Sequence, residues 1–190
     1  RFHVTLYHLR KALFPDIVLR RSGWYRLNPA VEVSTDVKSF LRHLEASRDE
    51  RLSREQRLEE LRAAVELYRG PLLPDLDSEL IRERRAELER RFLEALGRLA
   101  EAAFDDGDYR ACLRFCRRIL EVDPHVEEAH ARIMRCLSQL GENLAALAHY
   151  RHYVRALRRE DPAASPAPFL MELYQELLRL ERQRSRGDAL

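Results

Sequence analysis

Residues 99–124 read LAEAAFDDGDYRACLRFCRRILEVDP, and residues 133–158 read IMRCLSQLGENLAALAHYRHYVRALR. A shift of 34 residues lays Leu99 on Ile133, Ala100 on Met134, Ala103 on Leu137, Gly107 on Gly141, Cys112 on Ala146 and Ile119 on Tyr153. Apolar and small residues recur at helical spacing on both sides of each glycine. Each copy therefore reads as two helices joined by a tight turn, and glycine takes the turn conformation that a side chain resists. Asp123-Pro124 closes the first copy. A helix pair of this length cannot bury its own apolar face, so stacked copies must share one core. The small position (Cys112, Ala146) lets the second helix approach the first.

Outward from this repeat the chain stays helical. Period, inter-helix glycine and terminal proline resemble those of tetratricopeptide repeats. Upstream, Ser34-Thr35-Asp36 offers an N-cap to a helix carrying Val37, Phe40, Leu41 and Leu44. A second helix carries Leu58, Leu61 and Val65 and stops at Gly70-Pro71. A long helix is expected over 78–106, then three over 109–122, 126–140 and 143–159. A last one is expected over 169–180, after a proline-rich loop. Residues 183–190 read as a polar, frayed tail.

Residues 1–35 follow another grammar. Phe2, Leu6, Leu9 and Leu13 share a helical stripe that Pro15 ends. Ile17-Val18-Leu19 and Trp24-Tyr25-Arg26-Leu27 flank a Gly23 turn and read as a β-hairpin. The stripe is expected to face inward, leaving Arg1, Thr5, Tyr7, His8, Arg10 and Lys11 outward. About 30 residues cannot build a core alone.

Composition bounds the function. The chain has 190 residues and a formal net charge of +2, too balanced as a whole to announce a nucleic-acid partner. The balance is uneven along the chain. Residues 1–35 hold six basic and two acidic residues, a net +4, and the remainder is −2. No apolar run reaches the ~20 residues of a membrane span. Opening on Arg1 rather than on methionine, the sequence reads as a piece of a longer chain. A reduced, cytoplasmic setting is the expectation.

Catalytic motifs are lacking: the chain has no GxSxG, HExxH, P-loop or GxGxxG. The protein is read as no enzyme, with no cofactor. Cys112 and Cys116 are four apart, a spacing that suits two metal ligands, but both fall on core positions of the repeat, where free cysteine packs as a small apolar residue. His149 and His152, with His130 elsewhere, invite the same metal reading with no better ligand set. No metal site is assigned. Asp105-Asp106-Gly107-Asp108 lacks the calcium-loop pattern and occupies the repeat's turn.

The sequence goes beyond generic repeats. Tyr68-Arg69-Gly70-Pro71-Leu72-Leu73-Pro74-Asp75 and a long helix with Arg84, Leu88 and Glu94-Ala95 resemble the bacterial transcriptional activator domain. So do Pro124, Glu127-Glu128-Ala129-His130, Met134, Gly141 and Tyr150. That domain occurs in regulators like the Streptomyces antibiotic regulatory proteins. Asp77-Ser78-Glu79-Leu80 departs from it where the family often has Trp. In that family a response-regulator-type winged helix precedes the repeats. Val4–Leu13 resembles the end of its recognition helix, and Arg20–Leu27 its wing, with Trp24 inserted between Gly23 and Tyr25.

The resemblance implies a mainly α fold. A tetratricopeptide-like activator domain over 36–182 follows a partial winged helix-turn-helix, its recognition helix and β-hairpin wing, over 1–35. It implies a DNA-binding transcriptional activator. Arg1, Thr5, Tyr7, His8, Arg10 and Lys11 would contact double-stranded DNA, with Arg21 entering the minor groove. The first helices of the repeats would line a protein-interaction groove. Glu94, Gly97, Glu101, Phe104 and Asp105 come from one unit, and Ala131, Arg135, Ser138 and Gln139 from the next. RNA polymerase, another regulatory domain or a second protomer would be the partner. The rival reading is a tetratricopeptide-like scaffold that binds proteins and no DNA.

Overall fold

The computed structural model describes residues 1–32 and 34–187; residues 188–190 of the expected tail lie outside the described residues. Among the described residues there are eight α-helices and one two-stranded sheet. The chain divides into two compact units, residues 1–39 and 40–190.

In the first unit α1 (Phe2–Ala12) leads through one 3-10 turn, Pro15–Ile17, into β1 (Val18–Arg21) and β2 (Trp24–Leu27). The strands pair antiparallel, Val18 with Leu27 and Arg21 with Trp24. Ser22 and Gly23 both have positive φ (50° and 83°), the two-residue hairpin geometry whose twist matches the strands. Leu6, Ile17 and Val18 form a small core, with Tyr25 and Val31 packed on it.

The inward stripe expected of α1 is only partly buried. Leu6 is buried, whereas Phe2 and Leu13 are 57% and 59% exposed. Within this unit the hairpin and the 3-10 turn meet the helix at Phe2, Leu6 and Arg10.

In the second unit α2 (Asp36–Ala46, which begins in the first unit) and α3 (Arg54–Leu67) precede α4 (Glu79–Asp105), α5 (Tyr109–Val122), α6 (Glu127–Gln139), α7 (Asn143–Glu160) and α8 (Pro168–Gly187). Their starts follow from local chemistry. Ser53 and Gln56 form a reciprocal capping box on α3, Ser78 accepts from Ile81 N–H, and Asp108 accepts from Ala111 N–H. Asp106 also pairs with Arg54, the first residue of α3, at 2.9 Å. The acidic run at 105–108 is thus turn architecture: Asp108 caps a helix and Asp106 carries an ion pair.

The repeat is reproduced bond by bond. Asp106 N–H donates to Ala102 O and Gly107 N–H to Phe104 O. The same pattern recurs 34 residues on, from Leu140 to Cys136 and from Gly141 to Ser138. Gly107 and Gly141 have φ of 75° and 80°, the left-handed conformation that favours glycine.

α4/α5 and α6/α7 stack as consecutive pairs, and α8 closes the stack against α6 and α7, with Tyr174 stacked on Tyr150 at 4.3 Å. Phe92, Leu96, Leu99, Met134 and Leu170 are fully buried. Cys112, Cys116 and Cys136 are buried free thiols of this core. α8 runs to Gly187, past the end expected near Leu180. Glu181, Arg182, Gln183 and Arg184 are good helix formers, and no breaker intervenes before Gly187. No helix among the described residues is long and apolar enough to cross a membrane.

Candidate nucleic-acid interface and repeat surfaces

The first unit arranges its basic residues by two periodicities. On α1, Arg1, Val4, His8 and Lys11 lie opposite Leu6 and are exposed; Thr5 and Tyr7 flank them, also exposed. Thr5 Oγ1 donates to Arg1 O at 3.3 Å, and Tyr7 meets His8 edge to face at 5.5 Å between centroids.

Arg10 departs from the outward set. Four residues from Leu6, it shares the inner face, is half-buried, and its Nη2 donates to Val18 O at 2.7 Å. Its guanidinium ties the helix to the hairpin.

The hairpin alternates. Val18, Arg20, Tyr25 and Leu27 share one face, on which Val18 and Tyr25 meet the small core. The Arg20 guanidinium lies over the Tyr25 ring at 5.7 Å, and Phe2 meets the same ring edge-on at 4.9 Å. Leu19, Arg21, Trp24 and Arg26 share the other face. Trp24, at the tip beside Arg21, is 79% exposed. Trp24 and Arg26 are site candidates that composition and helical spacing do not reveal. The signal was available: counting by two through the Ser22-Gly23 turn puts Arg21, Trp24 and Arg26 together.

On the repeats, the structure brings part of the expected groove together. Phe104 meets Tyr109 edge to face at 5.4 Å, and Tyr109 Oη donates to Gln139 Oε1 at 3.5 Å, across the two repeats. Phe104 is half-buried. Glu101, Asp105 and Arg135 are exposed. Glu94 is exposed too, and Arg48 (3.4 Å) and Arg90 (4.0 Å) flank its carboxylate. Half-buried Arg132 donates to Gly97 O at 3.2 Å and joins α6 to α4 along the same side.

A second surface lies between the second helices of the pairs. A cleft of about 850 Å³ runs between α5 and α7, with α6 at its base. His149 forms part of its wall. His149 in turn faces His130, Nε2 to Nδ1, at 2.9 Å, while His130 Nε2 faces Pro124 O at 2.9 Å. A carbonyl only accepts, so neutral His130 carries its proton on Nε2 and donates to Pro124 O. Its Nδ1 then accepts from His149 Nε2–H. His130 also stacks on Tyr153, whose hydroxyl donates to Glu127. Burial lowers both imidazoles, His149 down to about 4, where His130, His152 and Arg117 add repulsion. Among the described residues, no group of three or more His, Cys, Asp or Glu is arranged to hold a metal ion.

The family model described as the bacterial transcriptional activator domain matches residues 35–178. Among solved structures, the chain is similar to Mycobacterium tuberculosis EmbR, determined in complex with a low affinity phosphopeptide. The TM-score is 0.63 at 23% identity, over 94% of this chain and 49% of that one. It is also similar to the Hsp90 co-chaperone Cns1 from Saccharomyces cerevisiae, with a TM-score of 0.51 at 13% identity, over 83% of this chain and 44% of that one. At these identities the likeness is one of fold. The chain spans about half the length of the EmbR chain it matches. No curated protein matches the sequence.

Proposed function

We propose, from the premise that this chain belongs to the bacterial transcriptional activator domain family, that it is part of a DNA-binding transcriptional activator working in the cytoplasm. Residues 1–35 are the recognition helix and wing of a winged helix, and residues 36–182 the activator domain. The observation that carries this reading is the unit standing directly before the family match. It is a basic helix with Arg1, His8 and Lys11 on its exposed face and a hairpin with Arg21, Trp24 and Arg26 on its outer side.

A helix of this kind enters the major groove with its exposed face toward base edges and phosphates. Arg1, Thr5, Tyr7, His8 and Lys11 are the contacts. Arg10 acts by fixing the wing against the helix. Arg21 reaches the minor groove, where the potential favours arginine. Tandem protomers on repeated sites fit the family.

The test uses the intact protein and a duplex it selects from a random pool. Arg21→Ala should weaken binding about 5- to 10-fold and reduce the slope of log affinity against log salt by about 1. Lys11→Ala should do the same. Wild-type affinity and slope in both variants would remove the unit as a DNA contact and favour the protein-only scaffold.

The first-helix groove is the surface for RNA polymerase or another regulatory domain. Glu101 and Asp105 supply its charge, and Phe104 with Gln139 its floor. Reversing Glu101 and Asp105 to arginine should lower transcription activation severalfold while DNA affinity is kept. Unchanged activation would exclude this groove.

A further inference from the structure

The hairpin of the first unit carries side chains that its fold does not use. Residues 18–27 read VLRRSGWYRL, with three arginines and no acid. Strand alternation divides them. Arg20 and Tyr25 turn inward, where the guanidinium lies over the ring and Phe2 meets the ring edge-on. Arg21, Trp24 and Arg26 turn outward with Leu19. Among the described residues the side chains of Arg21, Trp24 and Arg26 make no hydrogen bond, ion pair or ring contact.

Trp24 stands out in this set. It is the one tryptophan of the 190 residues, and at 79% it is more exposed than any other large apolar side chain among the described residues. An indole has a large apolar body and an N–H donor, and it is commonly well buried with that donor paired. Here both are open.

The tip is fixed before any partner arrives. Ser22 and Gly23 close a two-residue turn at positive φ. At the base of the hairpin Asn28 N–H donates to Ile17 O at 2.9 Å, and Arg10 holds Val18 O at 2.7 Å. Binding at the tip therefore carries little cost in backbone ordering.

Trp24 pairs directly with Arg21 across the strands. Directly opposed residues hold their Cβ atoms about 5 Å apart. The minor groove of B-DNA is about 6 Å wide. Two side chains at that spacing share one groove when one lies along the floor and the other along a wall. The floor carries acceptors and a strongly negative potential, which suit Arg21. The wall is deoxyribose, whose carbons suit an indole face. The phosphates at the rim suit Arg26. An anionic lipid surface also accepts tryptophan and arginine. Interfacial binding scales with apolar area, however, and this face offers one indole and a half-buried Leu19.

We infer that Trp24 is a DNA contact of the wing, packed on the deoxyribose wall of the minor groove beside Arg21. The inference rests on the DNA reading above and adds an uncharged contact to it. Such a contact senses the width of the groove rather than the identity of a base.

The test uses the intact protein and the duplex it selects. The emission of Trp24 is the difference between wild type and Trp24→Phe. Acrylamide should quench that emission freely in the unbound protein and roughly threefold less at saturating duplex. Trp24→Ala should bind about 10-fold more weakly with an unchanged slope of log affinity against log salt, because no charge is lost; Arg21→Ala lowers that slope by about 1. Trp24→Phe should keep most of the affinity. The melting temperature should stay put in both Trp24 variants, because the side chain is exposed.

Equal quenching in free and bound protein, or wild-type affinity in Trp24→Ala, overturns the inference; weakened binding by Arg21→Ala in the same series keeps the DNA reading standing. A salt slope lowered by Trp24→Ala as much as by Arg21→Ala makes Trp24 a support for Arg21 rather than a contact, and overturns it too. Protection of the indole by phosphatidylglycerol vesicles and not by duplex does the same. A wild type that binds no duplex removes the DNA reading and this inference together.

Discussion

Phe92→Ala should cost the repeat domain about 4 kcal/mol, the upper range for removing a buried aromatic ring. Phe92 is 1% exposed at the middle of α4. Tyr68 stacks on it, with centroids 4.1 Å apart and planes 14° from parallel. The Arg118 guanidinium of α5 also stands 5.0 Å from the ring centroid, and it donates to the carbonyls of Val65 (2.7 Å) and Tyr68 (3.2 Å) at the end of α3. One ring thus joins three helices. Its loss leaves a cavity and takes the platform from under a cation that holds the end of α3. Urea unfolding should show the midpoint falling with little change in slope, and the melting temperature should drop by roughly 8–15 °C. Phe92→Leu keeps most of the volume and should cost less than half as much. A loss below 1 kcal/mol for the alanine variant would show that the α3–α4–α5 junction is not the centre of the core.

What the sequence made legible is what periodicity carries. Gly107 and Gly141, 34 residues apart, mark the same turn, and Cys112 and Ala146 are both fully buried where a small residue was needed. Boundaries drawn from caps and prolines fall within two residues of α4 through α7.

What stayed hidden depends on which element lies across from a side chain. Arg10 was expected outward because arginine is solvated by default, yet it sits one turn from Leu6 with the Val18 carbonyl opposite it. Phe2 and Leu13 follow the apolar stripe but have little to pack on within their unit. His130 pairs with His149 across two helices, a contact that the nearby His149 and His152 spacing obscured. The helices α5 and α7, each net +3, vanish into a net charge of −2 for the whole body. Summing a charge along a chain averages surfaces that the fold turns in opposite directions, just as the whole-chain +2 hid the basic residues 1–35.

That histidine pair should make the repeat domain lose on the order of 2 kcal/mol as pH falls from 6.5 toward 4. In the fold, His149 binds a proton only near pH 4, against 6.5 unperturbed. Between those values the unfolded chain holds more protons than the folded one, so stability falls as pH falls through that window and is fully present above it. The cause is geometric as well as dielectric. His130 has given its Nε2 proton to Pro124 O and must accept at Nδ1. A proton added there would point at the Nε2–H of His149, so the pair cannot charge on the shared side without breaking the contact between α6 and α7. Replacing both, His130→Phe with His149→Leu, keeps the stack on Tyr153, leaves no orphaned polar atom between the two side chains, and returns the carbonyl of exposed Pro124 to water. Such paired apolar replacements are close to neutral, so the double variant should lie within about 1 kcal/mol of wild type at pH 7.5. Carboxylates held by arginine, such as Asp49 beside Arg51, are common to both proteins and cancel in the comparison. Urea unfolding at pH 7.5 and 4.5 should therefore show the wild type losing about 2 kcal/mol more than the double variant. Parallel pH profiles for the two proteins would show that the buried imidazoles leave the fold before they charge, and that the pair is no acid-labile joint.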